Sequence, residues 1–517
     1  MFVPTAASIP PHNAGLSLRH KPGLPVNMHP LNPLEFLLRA ANLYPNKVAL
    51  VAQPVSYTFS IWCQRVQNLA YALIQRNIKP GDRVAVIAPN CPMVADACNA
   101  SLAAQAILCM INTRLKPSEV AYILEHSGSS IILVDHEYTH LVPRDTKVPV
   151  IICNDTGRLG DPYEDFLATG RAFSQEKGWG GLEYCADENA GVMLCYTSGT
   201  TGRPKGVLTT LRGSYLAAVA NAYESKIYGD STYLWILPMF HAAGWTFPWA
   251  NTFACATQIT MRAVDYPQIW KHFLHSRVTH YCGAPTVQIG IVNDPAARPL
   301  KRKINAIIAG AAPTASLIGS LESIGIQPIH VYGLTWVDPT NIPFPTNDMK
   351  RGHAFATAEN VRVVYQPKED NDITLMDVPR DGRTIGEVVT RGNIVMKEYF
   401  RDPEATKMAF RGGSFNTGDL AVWNKDVLRV LRVAVVARSH AKWGERPHAF
   451  VILKPSGAKK WKHKHDKFEA DLKAHAKQRL PGFASPEWVQ VVDVDGLPKN
   501  GTGKVVKAQL RKIVAKL

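Results

Sequence analysis

Along its first third the chain alternates two patterns. Short apolar runs edged by turn-forming residues predict strands at Lys47–Ala52, Ser56–Phe59, Val84–Ala88, Ile107–Asn112 and Ile131–Val134. Between them, apolar residues at helical spacing predict helices over Pro33–Leu43, Ser60–Arg76, Val94–Ala106 and Pro117–His126. Strands that alternate with helices imply parallel sheets with helices on their faces. The alternation resumes from Gly191 to about Tyr332, and no period of solenoid length recurs. After Gly386 the texture changes: Glu387–Thr390 and Val395–Tyr399 read as strands of a small β-rich unit that closes near Asp419. Beyond Asp426 the order is mixed, with strands at Val433–Ala437, His448–Lys454 and Val489–Val494 and helices at Phe468–Arg479 and Lys507–Leu517.

A length of 517 residues exceeds one ordinary domain, and the texture divides it. We expect a Pro-rich arm on the surface (1–33), a large N-terminal domain (34–425) with a β-rich subdomain at about 350–425, and a smaller C-terminal domain (426–517). The expected fold class is α/β: parallel sheets flanked by helices, a small β-rich subdomain, then an α+β C-terminal domain. The arm holds seven prolines, no acidic residue and no apolar run of signal length, so a secretory signal is not expected. Ser231–Met261 lacks Lys, Arg, Asp and Glu and imitates a membrane span. Pro238, Gly244 and Pro248 would break a spanning helix near its middle, so a buried strand (Tyr233–Leu237), a loop and an apolar helix are expected instead. The chain reads as soluble, without a transmembrane segment.

Composition adds that 46% hydrophobic against 19% charged residues can bury a real core, which excludes wholesale disorder. The net charge is +16, and Asp426–Leu517 alone carry 20 Lys and Arg against 8 Asp and Glu. Such a tail favours an anionic partner: a polyphosphate ligand, a nucleic acid or a membrane surface. Its densest run, Lys459–His465, has one aromatic and no nucleic-acid fold signature, so a solvated loop is the expectation and no nucleic-acid partner. The nine cysteines form no CxxC pair or Cys/His ligand cluster, so buried free thiols are expected.

The candidate chemistry centres on Tyr196-Thr197-Ser198-Gly199-Thr200-Thr201-Gly202-Arg203-Pro204-Lys205-Gly206. Glycines let backbone N–H groups converge on a phosphate, hydroxyls add donors, and Lys205 adds charge for the outer phosphates. A polar turn between a strand and a helix is the plain alternative. The string resembles the phosphate loop of the adenylate-forming superfamily, which includes the acyl-CoA synthetases; it does not meet the Walker A pattern. The resemblance extends over almost the whole chain. Gly310-Ala311-Ala312-Pro313 is similar to the family's adenine turn. Tyr332-Gly333-Leu334-Thr335 is similar to the element whose tyrosine covers the adenine and whose threonine meets the α-phosphate. Thr417-Gly418-Asp419-Leu420 resembles the element whose aspartate chelates the ribose hydroxyls. Leu497–Lys504 resembles the loop of the adenylation lysine, here Lys504 directly after Gly501-Thr502-Gly503. Leu237-Pro238-Met239-Phe240-His241-Ala242-Ala243-Gly244-Trp245 and Cys282-Gly283-Ala284-Pro285-Thr286 are similar to segments lining the acyl or CoA channel, with His241 a candidate gate or a core histidine. Trp443-Gly444-Glu445 resembles the strand beside the thiolation site.

The resemblance implies an ATP-dependent acid–CoA ligase that uses ATP, Mg²⁺ and coenzyme A. Catalysis would fall to Lys504, Thr335 and Lys205, and the C-terminal domain would be mobile and rotate between half-reactions. The apolar lining, with Trp245, Phe247 and Trp249, favours an aliphatic (medium-chain or branched) or aryl acid over an amino acid. Two stretches depart from the family. The expected Mg²⁺ glutamate is Trp336, with Asp338 two residues later, which leaves the metal ligand unassigned. After Asp419, Asn424-Lys425-Asp426 passes straight into Val427-Leu428-Arg429, without the Asp-Arg-x-Lys-Asp hinge. These departures sustain the alternative of an impaired nucleotide- or acyl-binding pseudoenzyme; a nucleic-acid-binding protein ranks last. Ala515-Lys516-Leu517 is a tripeptide of the Ser-Lys-Leu type, read by a peroxisomal import receptor, so a peroxisomal and otherwise cytoplasmic location is expected.

Overall fold

The computed structural model describes residues 2–514 apart from 12–13, 20–22, 24, 198–202, 242–245, 311–312, 335–336, 343–352, 356, 360, 366–373, 424–427, 432–433, 441–443, 452–460, 462–463, 478–485 and 493–506. The first-third pattern is realised with ends shifted by a few residues. The apolar run after Gly81 is the strand Arg83–Ile87, buried on both faces. The next helix is Pro92–Ala103, two residues earlier than expected, because Pro92 fits the first helical turn, where its missing N–H is not needed.

Arg83–Ile87 is central to a seven-stranded sheet. It pairs in parallel with Ile107–Met110 on one side and Ser129–Asp135 on the other. Val150–Cys153 extends the latter side, and Gly191–Thr197 then Lys205–Thr210 extend the former. A nine-stranded sheet holds six parallel neighbours in the order Ile326–Leu334, Ile304–Ile308, His280–Cys282, Thr232–Trp235, Thr257–Thr260 and Val48–Ala52. Both sheets are covered by helices, as the alternation requires. Ser231–Met261 becomes the strand Thr232–Trp235, the helix Phe247–Phe253 and the strand Thr257–Thr260. Among the described residues no helix is long and apolar enough to cross a membrane. All nine cysteines are free thiols, and all but Cys185 are buried.

The small antiparallel sheet consists of Arg362–Val364, Ile385–Thr390, Phe415–Trp423 and Leu428–Leu431. One expected member is elsewhere. Of Val395–Tyr399 only Glu398–Tyr399 is a strand, and it joins the edge of the seven-stranded sheet, facing Leu208 and Val207. The N–H groups of Lys397 and Phe400 complete this pairing, donating to the carbonyls of Leu208 (2.7 Å) and Gly206 (2.8 Å). In the C-terminal region Ala434–His440, Gly444–Val451 and Trp488–Val491 form a three-stranded sheet beside the helices His465–Lys477 and Lys507–Val514. Gly444–Val451 starts four residues before the expected His448–Lys454, and Pro447 is accommodated opposite Ala437.

The Pro-rich arm is docked rather than simply lying on the surface: Ala7, Ser8 and Leu18 are buried. Arg65, 1% exposed, explains part of this docking. It pairs with Asp96 at 2.9 Å and Glu164 at 2.7 Å, both buried, and donates to the Ser8 hydroxyl at 3.2 Å. The Tyr163 hydroxyl donates to Asp96 at 3.0 Å, and the Arg65 guanidinium lies 4.4 Å from the Tyr57 ring centre. Burial pushes the Asp96 carboxyl up and Arg65 opposes the shift. Three helices, Phe59–Gln75, Pro92–Ala103 and Pro162–Lys177, are thus pinned to one guanidinium.

Candidate active site

Parallel strands deliver whatever follows them to one end of a sheet, and in open α/β sheets ligands bind in the crevice there. Four neighbouring strands of the nine-stranded sheet do this with the residues the sequence singles out. Thr232–Trp235 leads into Leu237–His241, His280–Cys282 into Gly283 and Ala284, and Ile304–Ile308 into Gly310 and Pro313. Ile326–Leu334 carries Tyr332 and Gly333 near its own carboxyl end. The register, Cys282 beside Ile307 and Ile308 beside His330, sets these segments level.

Each segment is fixed locally. The hydroxyl of Thr314 accepts from the N–H of Leu317 (3.2 Å) and starts the helix Ala315–Ser323, so the Gly310 turn (φ +83°) ends on a capped helix. The Gln288 amide donates to the Gly283 carbonyl at 3.2 Å and accepts from the Tyr281 hydroxyl at 2.6 Å. His241 is half-buried, its N–H donating to the Pro238 carbonyl at 3.2 Å. Ala311, Ala312, Thr335, Trp336 and Trp245 lie outside the described residues, as do Trp443, Lys504 and Ala515–Leu517. Asp338 falls in the strand Val337–Ile342, with nothing described of its side chain. Gly444 and Glu445 open the strand Gly444–Val451, opposite His440 and Ser439. Among the described residues no three His, Cys, Asp or Glu side chains group to hold a metal.

The expected phosphate loop sits otherwise than the plain alternative of a strand-to-helix turn supposed. Thr197 and Lys205 face each other in an antiparallel pair, so residues 198–204 link two strands of one sheet, and the helix Leu211–Glu224 comes only afterwards. Thr197 and Lys205 form the base of this link; Ser198, Gly199, Thr200, Thr201 and Gly202 lie outside the described residues. The Lys205 ammonium is 37% exposed, 3.9 Å from Asp402 and 5.0 Å from the Tyr399 ring centre. It borders a cleft of about 210 Å³ lined also by Tyr122, His126, Arg203 and Phe400. The His126 ring meets the Tyr196 hydroxyl at 2.7 Å, and burial then Arg401 hold its pKa below the usual histidine range. The cationic wall of this cleft therefore comes from Arg203 and Lys205.

Asp419 is the best-defined site carboxylate. Gly418 has φ +71°, a conformation that other residues adopt only with strain, and the pairing of Phe415–Trp423 with Ile385–Thr390 shifts register at this point. The Thr417 hydroxyl donates to the Val388 carbonyl (2.7 Å) and accepts from the Asp419 N–H (3.1 Å). The irregularity presents Asp419 to the nine-stranded sheet, where the Tyr332 hydroxyl donates to its carboxylate at 2.9 Å. Two expected nucleotide residues from segments far apart in sequence therefore touch. The sequence reading missed their support: buried Glu387 accepts from the Gly418 N–H at 2.9 Å and is braced by Arg411 at 3.3 Å. The only signal was a glutamate inside an otherwise apolar strand, Ile385–Thr390.

Residues 37–400 match the family model described as AMP-binding enzyme, and residues 427–504 match that of the AMP-binding enzyme C-terminal domain. The chain is 34% identical to the peroxisomal acetate/butyrate–CoA ligase AAE7 of Arabidopsis thaliana, with 95% of each chain covered. It is 32% identical to the peroxisomal trans-cinnamate:CoA ligase of Petunia hybrida, with 94% of each covered. The alignment with the first spans 567 positions, more than the 517 residues of this chain, so that relative carries segments absent here. Among solved structures, a Mycobacterium tuberculosis fatty acyl CoA synthetase superposes with a TM-score of 0.75 at 24% identity, covering 93% of this chain and 98% of the other.

Proposed function

This chain belongs to the AMP-binding enzyme family, whose acyl-CoA synthetases are acid–thiol ligases, and we propose that it converts a small aliphatic or aryl carboxylic acid to its CoA thioester through an acyl-adenylate. The observation that supports this reading is the level register of the neighbouring strands that lead to Gly283 and Gly310 and carry Tyr332, with the Tyr332 hydroxyl donating to Asp419. In the first step a carboxylate oxygen bonds to the α-phosphorus and the bond to pyrophosphate breaks. In the second the CoA sulfur bonds to the acyl carbon, AMP departs and the thiol proton passes to solvent. Little covalent work falls to the protein, which positions the reactants and stabilises the charge that builds on phosphate oxygens. Tyr332 would cover the adenine, Asp419 would take the ribose hydroxyls, and Lys205 would face the outer phosphates. A tryptophan at position 336 offers no metal ligand, so Mg²⁺ would enter as the counter-ion of ATP and no step is assigned to it.

Exchange of labelled pyrophosphate into ATP, run with a panel of straight-chain, branched and aryl acids, tests the reading. Folded protein that exchanges with none of them would refute it. Trp336 and the shortened connection after Asp419 favour one second reading, a nucleotide- or acyl-binding protein without turnover; calorimetric binding of ATP without exchange would single it out.

The support beneath Asp419 gives a prediction. Glu387→Ala leaves the Gly418 N–H and the Arg411 guanidinium without their buried partner, a loss worth ~1–3 kcal/mol. We expect KM for ATP to rise about tenfold, the equivalent of ~1.4 kcal/mol, with KM for the acid within about twofold. Steady-state titration of both substrates measures the split, and a matched rise in the two would show that Glu387 serves the whole fold rather than the nucleotide.

Several relatives are named peroxisomal, and the tripeptide Ala515-Lys516-Leu517 supports the same address here. An apolar pocket of a receptor would take the leucine and acidic groups the lysine, with the terminal carboxylate captured between them. Deleting 515–517 from an N-terminally tagged protein is expected to move fluorescence from puncta to the cytosol. Puncta that survive the deletion would dismiss this signal.

A further inference from the structure

Asn90 lies in the turn that leaves the strand Arg83–Ile87 at its carboxyl end, and it is 4% exposed. All three hydrogen bonds of its side chain go to one segment of the other large sheet. The amide nitrogen donates to the carbonyls of Trp235 (3.2 Å) and Leu237 (3.0 Å), and the amide oxygen accepts from the N–H of Met239 (2.7 Å). Two carbonyls on one side and an N–H on the other admit a single orientation of the amide.

Among the described residues, the segment so held has little backbone pairing of its own. The parallel ladder of Thr232–Trp235 ends at Trp235. Beyond it, among the described residues, Ile236 donates back to Leu234 at 3.1 Å and His241 to Pro238 at 3.2 Å, and both bonds stay within the segment. Pro238 has no N–H to donate. Ile236 and Met239 are buried in the core, and one buried amide adds the side-chain hydrogen bonds that tie Trp235, Leu237 and Met239 to the opposite sheet.

We propose that Asn90 is a positioning residue for acid selectivity: it holds the wall Leu237–Met239 of the acyl channel in place without touching the acid. This rests on the ligase reading, in which that segment lines the channel. Of the twenty side chains only the amides offer two donors and an acceptor in one plane. Asn90→Asp keeps the shape and the acceptor for Met239 but turns two donors into an oxygen facing two carbonyls. Asn90→Ser shortens the reach and keeps at most one donor. Either change lets the wall move, and a displacement of about 1 Å at a reacting group can lower a rate about 10²-fold.

Wild-type pyrophosphate exchange is read first; none with any acid overturns the ligase reading and this inference with it. With active wild type, both variants are titrated with a straight-chain and an aryl acid. The expected result is an acid KM raised about tenfold, by unequal factors for the two acids, with KM for ATP within about twofold. Unchanged acid KM values, or ATP and acid values that rise together, would overturn the positioning role while leaving the ligase reading intact. Should neither variant fold, hydrogen exchange on the wild type decides: a Met239 amide as protected as the strand Thr232–Trp235 supports the hold, and a fast-exchanging one rejects it.

Discussion

Lys504→Ala is expected to lower pyrophosphate exchange by about 10²–10³-fold, the range for removing one preorganised donor from a developing oxyanion. Thioester formation from a supplied acyl-adenylate should keep most of its rate. The two half-reactions differ in where charge develops. In the first, negative charge grows on oxygens around the α-phosphorus as pyrophosphate leaves, and the Lys504 ammonium, next to Gly503 in the chain, would meet it. In the second the acyl carbon is attacked and AMP departs with a charge already formed. Rapid-quench measurement of each half-reaction separates them, and an equal loss in both would remove Lys504 from the adenylation role. If the wild type lacks exchange, the comparison requires a chain in which the hinge after Asp419 has been supplied.

Arg65→Ala should be among the most destabilising single changes in the large domain, by about 3–5 kcal/mol, the usual result of stripping one partner from a buried ionic cluster. Asp96 and Glu164 would be left without their shared cation, in a site where Asp96 already carries a raised pKa from burial. The loss also releases the Ser8 contact of the N-terminal arm and the stacking on Tyr57. The urea midpoint of the large domain measures it. A change below about 1 kcal/mol would mean that water reaches the two carboxylates. A volume-matched replacement of all three charges by apolar residues should recover much of the loss, because it removes the cost of desolvating the three charges.

What was legible in the sequence was whatever is encoded locally. Val84 to Ile87 is apolar without interruption and bounded by the turn residues Gly81-Asp82, the pattern of a strand covered on both faces, as parallel sheets have. Gly310 and Gly418 adopt positive φ, as turn-forming residues at these points suggest, while the nucleotide roles expected of their segments rest on the family resemblance. What depends on pairing between distant segments was not readable. The pattern over Val395–Tyr399 predicts a strand of the small β-rich unit, yet the partners of Glu398–Tyr399 are Leu208 and Val207. A strand-to-helix turn is the plain reading of the phosphate segment, because nothing local in Lys205-Gly206 shows a strand that pairs with Gly191–Thr197. Glu387 and Asn90 acquire meaning from a register shift and from a second sheet, neither of which leaves a local pattern.

The strand Lys205–Thr210 would, without Glu398–Tyr399, end its sheet with a row of unpaired N–H and C=O groups flanking Val207 and Leu208. A long apolar edge of that kind is a template for a foreign strand. Two residues suffice to close it, because Lys397 and Phe400 add their N–H groups on either side. A fragment ending before Lys397 would keep the buried packing of Val207 and Leu208 on the side of Gly191–Thr197 but present an open edge. Its failure in solution would then be intermolecular strand addition, at a rate that climbs with protein concentration, rather than unfolding. The same two residues that look like a minor appendage of the sheet are thus expected to keep fragments of the large domain from associating through that edge.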